Sequence, residues 1–298
     1  MLYRLGRYFA EHPFFHLPSS KRASVAIILR SSAPAAPLCA ASAEVLYIKR
    51  ASREGDPWSG HVAFPGGKRE GSESDMECAE RETREEVGLD LRDRDCFRFL
   101  GRLDDRPVLT GGRALADSAF CVGVYLQLSP TTPPLTLQPG EVAETRWVPM
   151  SHLLPGAVDR RGVARPAERF LPTWLHSALG AQHIYLPAIA LPPEPGSASR
   201  TPFLLWGMSL QATSDLVLAA GAADTPLSWP PAAGDTAAAK LLVAAYCGAA
   251  ELAALLQAGR RSKQVGALQL QHVGALGAVG ALLGSTLRAA RQLVLALL

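Results

Sequence analysis

Three glutamates lie close together in the chain at a spacing that suits a helix. Glu82, Glu85 and Glu86 stand at i, i+3 and i+4, so a helix would place their carboxylates on one face, within about 6 Å of each other. Like charges at this spacing repel one another. Mg2+ prefers carboxylate and water oxygens and commonly links protein carboxylates to substrate phosphates. Three acids alone are also typical of a solvated helix face, so the surrounding residues must decide between the two interpretations.

Residues on either side predict where this helix begins and ends. Ser74 followed by Glu77 fits a capping box at the amino end, and Gly88 suits the left-handed position that closes a helix. Arg81 can reach Glu85 one turn further on, or a glutamate in the preceding loop. Either contact would hold the acids in place without neutralising all of them.

The acids belong to a longer pattern of fixed spacings. Its eight positions are Gly67, Glu73, Arg81, Glu82, Glu85, Glu86, Gly88 and Leu89. A chance acidic helix is a poor explanation for all eight, because short motifs mislead mainly when few positions are fixed. The segment resembles the Nudix box, and the one departure is Thr83, which stands where a bulkier aliphatic residue is usual.

The resemblance implies a fold, a chemistry and roles for individual residues. The fold would be an α/β/α sandwich around a mixed sheet, and the reaction would be hydrolysis of a nucleoside-linked diphosphate with Mg2+ or Mn2+ as cofactor. By position, the metal ligands would be the carbonyl of Gly66 and the carboxylates of Glu82, Glu85 and Glu86. Glu82 and Glu85 would also be catalytic, and Arg81, with Glu73, would orient the loop and the helix.

The stretch RASREGDPWSGHVAFPGG before the helix resembles the upstream signature of the coenzyme A diphosphatase branch of this family. The matching positions on its right-hand side are Gly60, Phe64, Pro65, Gly66 and Gly67. On the left-hand side Arg50 arrives one residue early, and Asp56 stands where the pattern has a second arginine, with Arg53 nearby. We predict that Arg50, Arg53, Phe64 and Gly67 contact substrate, because guanidinium groups suit phosphates. The alternative is that the aromatic residue belongs to the core and the arginines are solvated.

This likeness implies coenzyme A or an acyl derivative as substrate, with phosphopantetheine and adenosine 3′,5′-bisphosphate as products. The alternatives are NADH, ADP-ribose or a damaged nucleotide, although the family's NADH signature is missing after the box. A further alternative is a Nudix-fold module that binds a nucleotide without cutting it. Such modules generally lose acids of the box, and here all of them are present.

Composition narrows the class of protein and its compartment. The chain has 298 residues, 48% hydrophobic and 19% charged, which is typical of a sequence that builds a core. The net charge of +3 gives no reason to expect nucleic acid as a partner. Five scattered cysteines without a CxxC pair indicate a reducing, intracellular compartment, either cytoplasmic or mitochondrial. The first residues predict a short helix that caps the sheet, with a mitochondrial presequence as the alternative.

The candidate general base lies after the helix. We predict strands at residues 24–30, 44–50, 97–103 and 119–128. The segment 139–154 would then close the domain with a strand and a short helix. Glu141 or Glu144 would face the box, where either could take a proton from water or bind the metal, and Glu141 is the first choice. His61 is a further candidate base, although a lone histidine in a loop is more often structural.

We predict three parts: a Nudix domain at residues 20–155, an extension at 156–235 packed on it, and a helical tail at 236–298. The extension would contain loops at 156–166 and 192–199, strands at 183–191 and 202–205, and a helix at 206–220.

The tail is rich in Ala and Leu, and its run 266–287 carries no formal charge. We keep three alternatives for it: a membrane span, a membrane-surface or partner-binding helix, and docking on the domain. A homo-oligomer is compatible with the sequence.

Overall fold

A computed structural model describes residues 1–32, 38–56, 58–110, 113–193, 202–224, 227 and 243. The helices are α1 (Leu2–Glu11), α2 (Asp75–Val87), α3 (Thr173–Ala178) and α4 (Gly207–Ala219), with 3-10 turns at Met150–Leu153 and Ala167–Arg169. The strands are β1 (Lys21–Ser31), β2 (Ala43–Arg50), β3 (Val62–Ala63), β4 (Gly66–Lys68), β5 (Phe97–Arg102), β6 (Arg106–Thr110), β7 (Arg113–Gln127), β8 (Val142–Pro149), β9 (Asp159–Pro166), β10 (His183–Ala190) and β11 (Leu204–Trp206).

Eight of these strands form one mixed sheet. Its main order is β3-β2-β1-β7-β5, with β4 paired to β1, β6 to β7 and β8 to β2. The central pair β1 and β7 is parallel, and the other pairs are antiparallel. The short strand β4 therefore brings the loop before α2 against the middle of the sheet.

The central strand shows why helices cover both faces of the sheet. Side chains alternate along a strand, and in β1 Ile27 and Leu29 join a cluster that includes residues of α1 and α4. Ala26 and Ile28 point the other way and pack with Ala79 and other residues of α2. The predicted α/β/α sandwich around a mixed sheet is confirmed.

Most predicted elements are found, but the loop predicted at 156–166 is wrong. Asp159–Pro166 is strand β9, which pairs with β10 along its whole length. Its side chains are mainly exposed, so the strand lacks the apolar alternation by which a half-buried strand is recognised. Strands β9, β10 and β11 form a separate three-stranded sheet.

The extension packs directly on the large sheet. Tyr47 of β2 shares a hydrogen bond of 2.9 Å with Thr213 of α4, and Arg106 bonds Asp215 at 2.6 Å. None of the described helices is long and apolar enough to cross a bilayer. Of the predicted tail at 236–298, the structure describes Val243, so the alternatives for the tail lie outside the described residues, as does most of the predicted loop at 192–199.

Four cysteines lie within the described residues, and all four are free thiols. Cys78 and Cys121 are buried, Cys96 is partly buried and Cys39 is exposed.

A buried ionic network fixes the start of α2. Arg22 of β1 donates to both carboxylate oxygens of Asp75, at 2.7 and 2.9 Å, and also to Asp105. Arg102 donates to the same two aspartates at 3.0 and 2.8 Å. Because the side chain of Arg22 is only 2% exposed, removing it would leave the two aspartates short of a buried cation.

We expect Arg22→Met to lower the free energy of unfolding by about 3–5 kcal/mol, because one broken partner leaves uncompensated buried charge. Denaturant unfolding would measure the loss. Arg7→Gln is the matched control, since it breaks an exposed pair with Glu11 and should leave the midpoint unchanged. Equal midpoints for the two variants would contradict the prediction.

Candidate active site

The helix that carries the acids has both of its predicted ends. Ser74 accepts a hydrogen bond from the backbone N–H of Glu77, and the Glu77 carboxylate accepts one from the Ser74 N–H. Gly88 closes the helix at φ 78°, a left-handed conformation that glycine adopts without strain. The capping box and the terminal glycine therefore set the rotation and length of α2, and with them the direction of its acids.

Arg81 organises the acidic side chains around it. Its Nε and Nη2 donate to the two oxygens of Glu73, at 3.1 and 2.9 Å, and these bonds lower the pKa of Glu73 to about 2. Its Nη1 donates to Glu82 and to Glu85, at 3.0 Å each. Arg81 therefore contacts Glu73 in the preceding loop and Glu85 one turn further on at the same time.

Three carboxylates converge beside this arginine. Ligand atoms of Glu82, Glu86 and Glu141 all lie within 4.8 Å of one another. Burial, and then the charges of Glu82 and Glu141, raise the pKa of Glu86 to about 8, although the N–H of Gly66 donates to its Oε2 at 2.9 Å. Burial and the charges of Glu85 and Glu141 also raise the pKa of Glu82, against the opposing effect of Arg81. The group thus concentrates more negative charge than the surrounding residues neutralise.

Glu85 stands apart from this group. Its side chain is 49% exposed, whereas that of Glu86 is 2% exposed, and its carboxylate is bonded to Arg81. Its role as a metal ligand and catalytic residue stays a prediction. The third member of the group, Glu141, comes instead from the turn before β8.

Two glycines leave room for the acids. A Cβ on Gly67 would overlap the carboxylate of Glu82, and a Cβ on Gly66 would overlap the backbone of β1 at Ser24 and Val25. Gly66 also has φ 150°, which L side chains rarely adopt. The predicted contact of Gly67 with substrate stays a prediction; its observed neighbour is Glu82.

The two predicted substrate arginines have different surroundings. Arg50 lies beside the cluster, with Nη1 3.8 Å from Glu86 and Nη2 3.3 Å from Asp56, and its buried Nε has no hydrogen-bond partner. Arg53 donates to the carbonyl of Gly140 and, at 3.1 Å, to Glu141. Arg50 can therefore turn donors toward a ligand, whereas Arg53 holds the turn that carries Glu141.

Two of the predicted site residues lie outside the carboxylate group. Phe64 is 1% exposed and packs on Tyr47 in the core, with ring centroids 4.9 Å apart. Its predicted contact with substrate stays a prediction. Glu144, the second candidate base, is bonded to Arg146 at 2.8 Å, outside the group that contains Glu141.

The donor set fits a hard divalent cation. The group offers carboxylate oxygens only, which suit Mg2+ and Mn2+ rather than softer metals. Burial is the main cause of the raised pKa values of Glu82 and Glu86, and repulsion from the charges of neighbouring carboxylates adds to it. A divalent cation at the centre would remove this repulsion.

The sequence of the central region matches a known domain family. Residues 28–169 match the model of the NUDIX domain, so this part of the chain, which contains α2 and all three clustered carboxylates, is a NUDIX domain with the α/β fold of that family.

Two curated proteins and a solved structure are similar to part of this chain. An uncharacterized protein of Schizosaccharomyces pombe is 35% identical over 196 residues, 60% of this chain and 58% of that protein. The human protein named mitochondrial coenzyme A diphosphatase NUDT8 is 35% identical over 129 residues, 42% of this chain and 50% of the human protein. The chain thus spans between half and three fifths of these relatives' length. A solved structure of a MutT/nudix family protein from Enterococcus faecalis aligns at 18% identity and TM-score 0.33, over 69% of this chain and 59% of that one.

The raised pKa of Glu86 gives a pH-dependent stability with a defined sign. Its folded pKa of about 8 lies above the ordinary value of 4.5, so the unfolded chain releases the proton first as the pH rises. The free energy of unfolding of metal-free protein should therefore fall between about pH 4.5 and pH 8.

Denaturant unfolding in a chelator at pH 5.5 and pH 8 would measure this fall. We expect Glu86→Gln to reduce it, because the amide does not titrate, and added Mg2+ to restore stability to the unsubstituted protein at pH 8. The same fall in both proteins would rule out Glu86 as its source.

Proposed function

We propose that this protein is a divalent-metal-dependent hydrolase that cleaves the diphosphate of a nucleoside-linked compound. Its preferred substrate would be coenzyme A or acyl-CoA. The observation that carries the proposal is the convergence of Glu82, Glu86 and Glu141 beside the Gly66 backbone. An acidic group of this kind binds a phosphate only through a cation, so it suits a metal-assisted reaction on a diphosphate.

The residues that would hold the cation are Glu82, Glu86 and the carbonyl of Gly66, with Glu85 joining them as the family resemblance implies. Glu141 stands beside them as the base. When bound, Mg2+ or Mn2+ supplies positive charge to the phosphate oxygens and makes water a better nucleophile. Arg81 keeps Glu82 and Glu85 in place through its two bonds of 3.0 Å.

Two further groups would act on substrate and water. Arg50 stands next to Glu86 with an unpaired buried donor, so it would bind a diphosphate oxygen as the substrate enters. Glu141 is bonded to Arg53 through Oε1, which leaves Oε2 to accept a proton from the attacking water. Attack on one phosphorus breaks its bond to the bridging oxygen, and the other phosphate leaves.

Coenzyme A is favoured over other diphosphates for two reasons. The stretch from Gly60 to Gly67 resembles the signature of coenzyme A diphosphatases, and the human relative carries that activity in its name. The products would be phosphopantetheine and adenosine 3′,5′-bisphosphate. The same name favours the mitochondrion over the cytoplasm as the compartment.

A hydrolysis panel tests the proposal. The full chain would be incubated with Mg2+ or Mn2+ and, in turn, coenzyme A, acetyl-CoA, NADH, ADP-ribose and an oxidised nucleoside triphosphate. We expect cleavage that requires the metal and has its highest kcat/KM on the two CoA compounds. A higher kcat/KM on another diphosphate would make that compound the assigned substrate and leave the proposed mechanism unchanged. Binding without cleavage of any compound would instead support a nucleotide-binding module.

A further inference from the structure

The three-stranded sheet of the extension brings a basic side chain against the loop that leads into the site. Arg165 of β9 donates from Nη2 to Nε2 of His61, at 2.9 Å, and its guanidinium lies 4.4 Å from the ring centre of Trp206. The rings of His61 and Trp206 meet edge to face, with centroids 4.6 Å apart. Three residues from distant parts of the sequence therefore form one cluster, which we call the Arg165 cluster.

Within the described part of the chain, the positive charge of this cluster has no carboxylate paired with it. Among the residues that the structure describes, no carboxylate forms an ion pair with Arg165. Burial and the nearby charge of Arg169 lower its pKa, as expected for a cation without an anionic partner, yet an arginine remains charged at any physiological pH. A half-buried guanidinium of this kind is a ready partner for an anion.

The histidine in the cluster is neutral and can add a donor. Burial, and then the charge of Arg165, lower the pKa of His61 to about 4. Because an arginine can only donate, Nε2 of His61 must accept, and the proton of the neutral ring is then on Nδ1. The cluster can thus offer both guanidinium N–H groups and an imidazole N–H.

The Arg165 cluster is connected to the carboxylates by a short series of contacts. The N–H of Arg50 donates to the carbonyl of His61 at 2.9 Å, and the side chain of Arg50 lies 3.8 Å from Glu86. Arg50 is therefore in contact both with the carboxylate group, through its side chain, and with the Arg165 cluster, through its backbone.

We propose that Arg165, with His61 and Trp206, forms a second anion subsite that binds a phosphate monoester carried by the substrate outside its scissile diphosphate. The inference rests on the proposed function and narrows its substrate class to nucleotides with such a group. Arg165 is the specificity-determining residue, since its planar fork matches phosphate oxygens. Trp206 is a positioning residue that supports the guanidinium plane.

The test compares substrates that differ only in this phosphate. Wild-type protein and Arg165→Gln would be assayed with Mg2+ on coenzyme A and 3′-dephospho-coenzyme A, and on NADPH and NADH. We expect Arg165→Gln to lower kcat/KM about 10- to 100-fold on the phosphorylated member of each pair that the protein cleaves. The loss should appear mainly as a higher KM, because a charge-assisted hydrogen bond to phosphate is lost. On the member without the phosphate, kcat/KM should change by less than about twofold.

Two controls make the result decisive. Arg161→Gln, on the same strand but exposed and paired with Asp159, should keep the wild-type discrimination. Arg165→Lys keeps the charge and should recover part of it. Equal losses on both members of a pair, or unchanged discrimination in Arg165→Gln, would overturn the subsite while leaving the hydrolase in place. Failure of the wild-type protein to cleave any of the four compounds would overturn the subsite and the assignment of coenzyme A as substrate, and the hydrolysis panel would then decide whether another diphosphate is cleaved.

Discussion

Glu86→Gln is expected to lower the metal-dependent hydrolysis rate on the order of 10³-fold, because a metal site supplies several kcal/mol of transition-state stabilisation. Glu86 is the most buried member of the carboxylate group and is oriented by the N–H of Gly66. The amide keeps the size of the side chain but cannot supply a negative oxygen. The loss should therefore appear in kcat, with the fold retained.

Two measurements separate loss of the metal from loss of the fold. Mn2+ binding to the purified protein, followed by its electron paramagnetic resonance signal, should weaken together with the rate. Thermal unfolding of metal-free Glu86→Gln at pH 8 should occur at a higher temperature than that of the unsubstituted protein, because a buried charge is removed.

Glu80→Gln is a matched control on the same helix. Glu80 is 9% exposed and bonds Tyr125 and Arg92 instead of the cluster, so its replacement should leave the rate within about twofold of wild type. Glu85→Gln should give a smaller loss than Glu86→Gln, about 10- to 100-fold, because the Glu85 side chain is 49% exposed and is paired with Arg81. Full activity in Glu86→Gln would contradict a metal site at this group.

The part of the site that follows from local sequence is the helix. The capping box, the left-handed Gly88 and the bond from Arg81 to Glu85 each join residues at most four apart, so residue types and spacing determine them. The order of the strands around β1 does not follow from local spacing, although each buried strand is a short apolar run that sequence can identify.

Contacts between distant segments could not be obtained in the same way. The sequence favours Glu141 as the base, but the position of Glu141 beside Glu82 and Glu86 depends on the turn before β8 and on the bond from Arg53. The half-exposed position of the Glu85 side chain depends on its hydrogen bond from Arg81. Phe64 matches a signature position, but its burial against Tyr47 is a property of the assembled core.

The sequence does not predict the Arg165 cluster, because residues 156–166 have the composition of a loop. The run DRRGVARP has no apolar alternation, and only its pairing with β10 makes it a strand. The available signal was indirect: Arg165 stands in a basic stretch of an extension predicted to pack on the domain. Its contact with His61 spans 104 residues, a separation over which spacing carries no information.

Gly67→Ala is expected to lower kcat/KM about 100-fold, because a displacement of about 1 Å in a reacting group can cost that much. The new Cβ would overlap the carboxylate of Glu82. Since that carboxylate is the end of a flexible side chain, it can move aside and the backbone need not shift. Glu82 would then leave its place beside Glu86, and its bond to Arg81 would lengthen or break.

The expected result is therefore a protein with a normal fold and about one hundredth of the wild-type kcat/KM. Thermal unfolding of Gly67→Ala should stay close to that of wild type, while Mn2+ binding weakens along with the rate. Gly156→Ala is the control, since a Cβ there meets no atom within 4 Å, and it should leave both properties unchanged. Wild-type Mn2+ binding and kcat/KM in Gly67→Ala would contradict the prediction. The position of Glu82 would then not matter for the reaction, and the other acids of α2 would have to form the metal site.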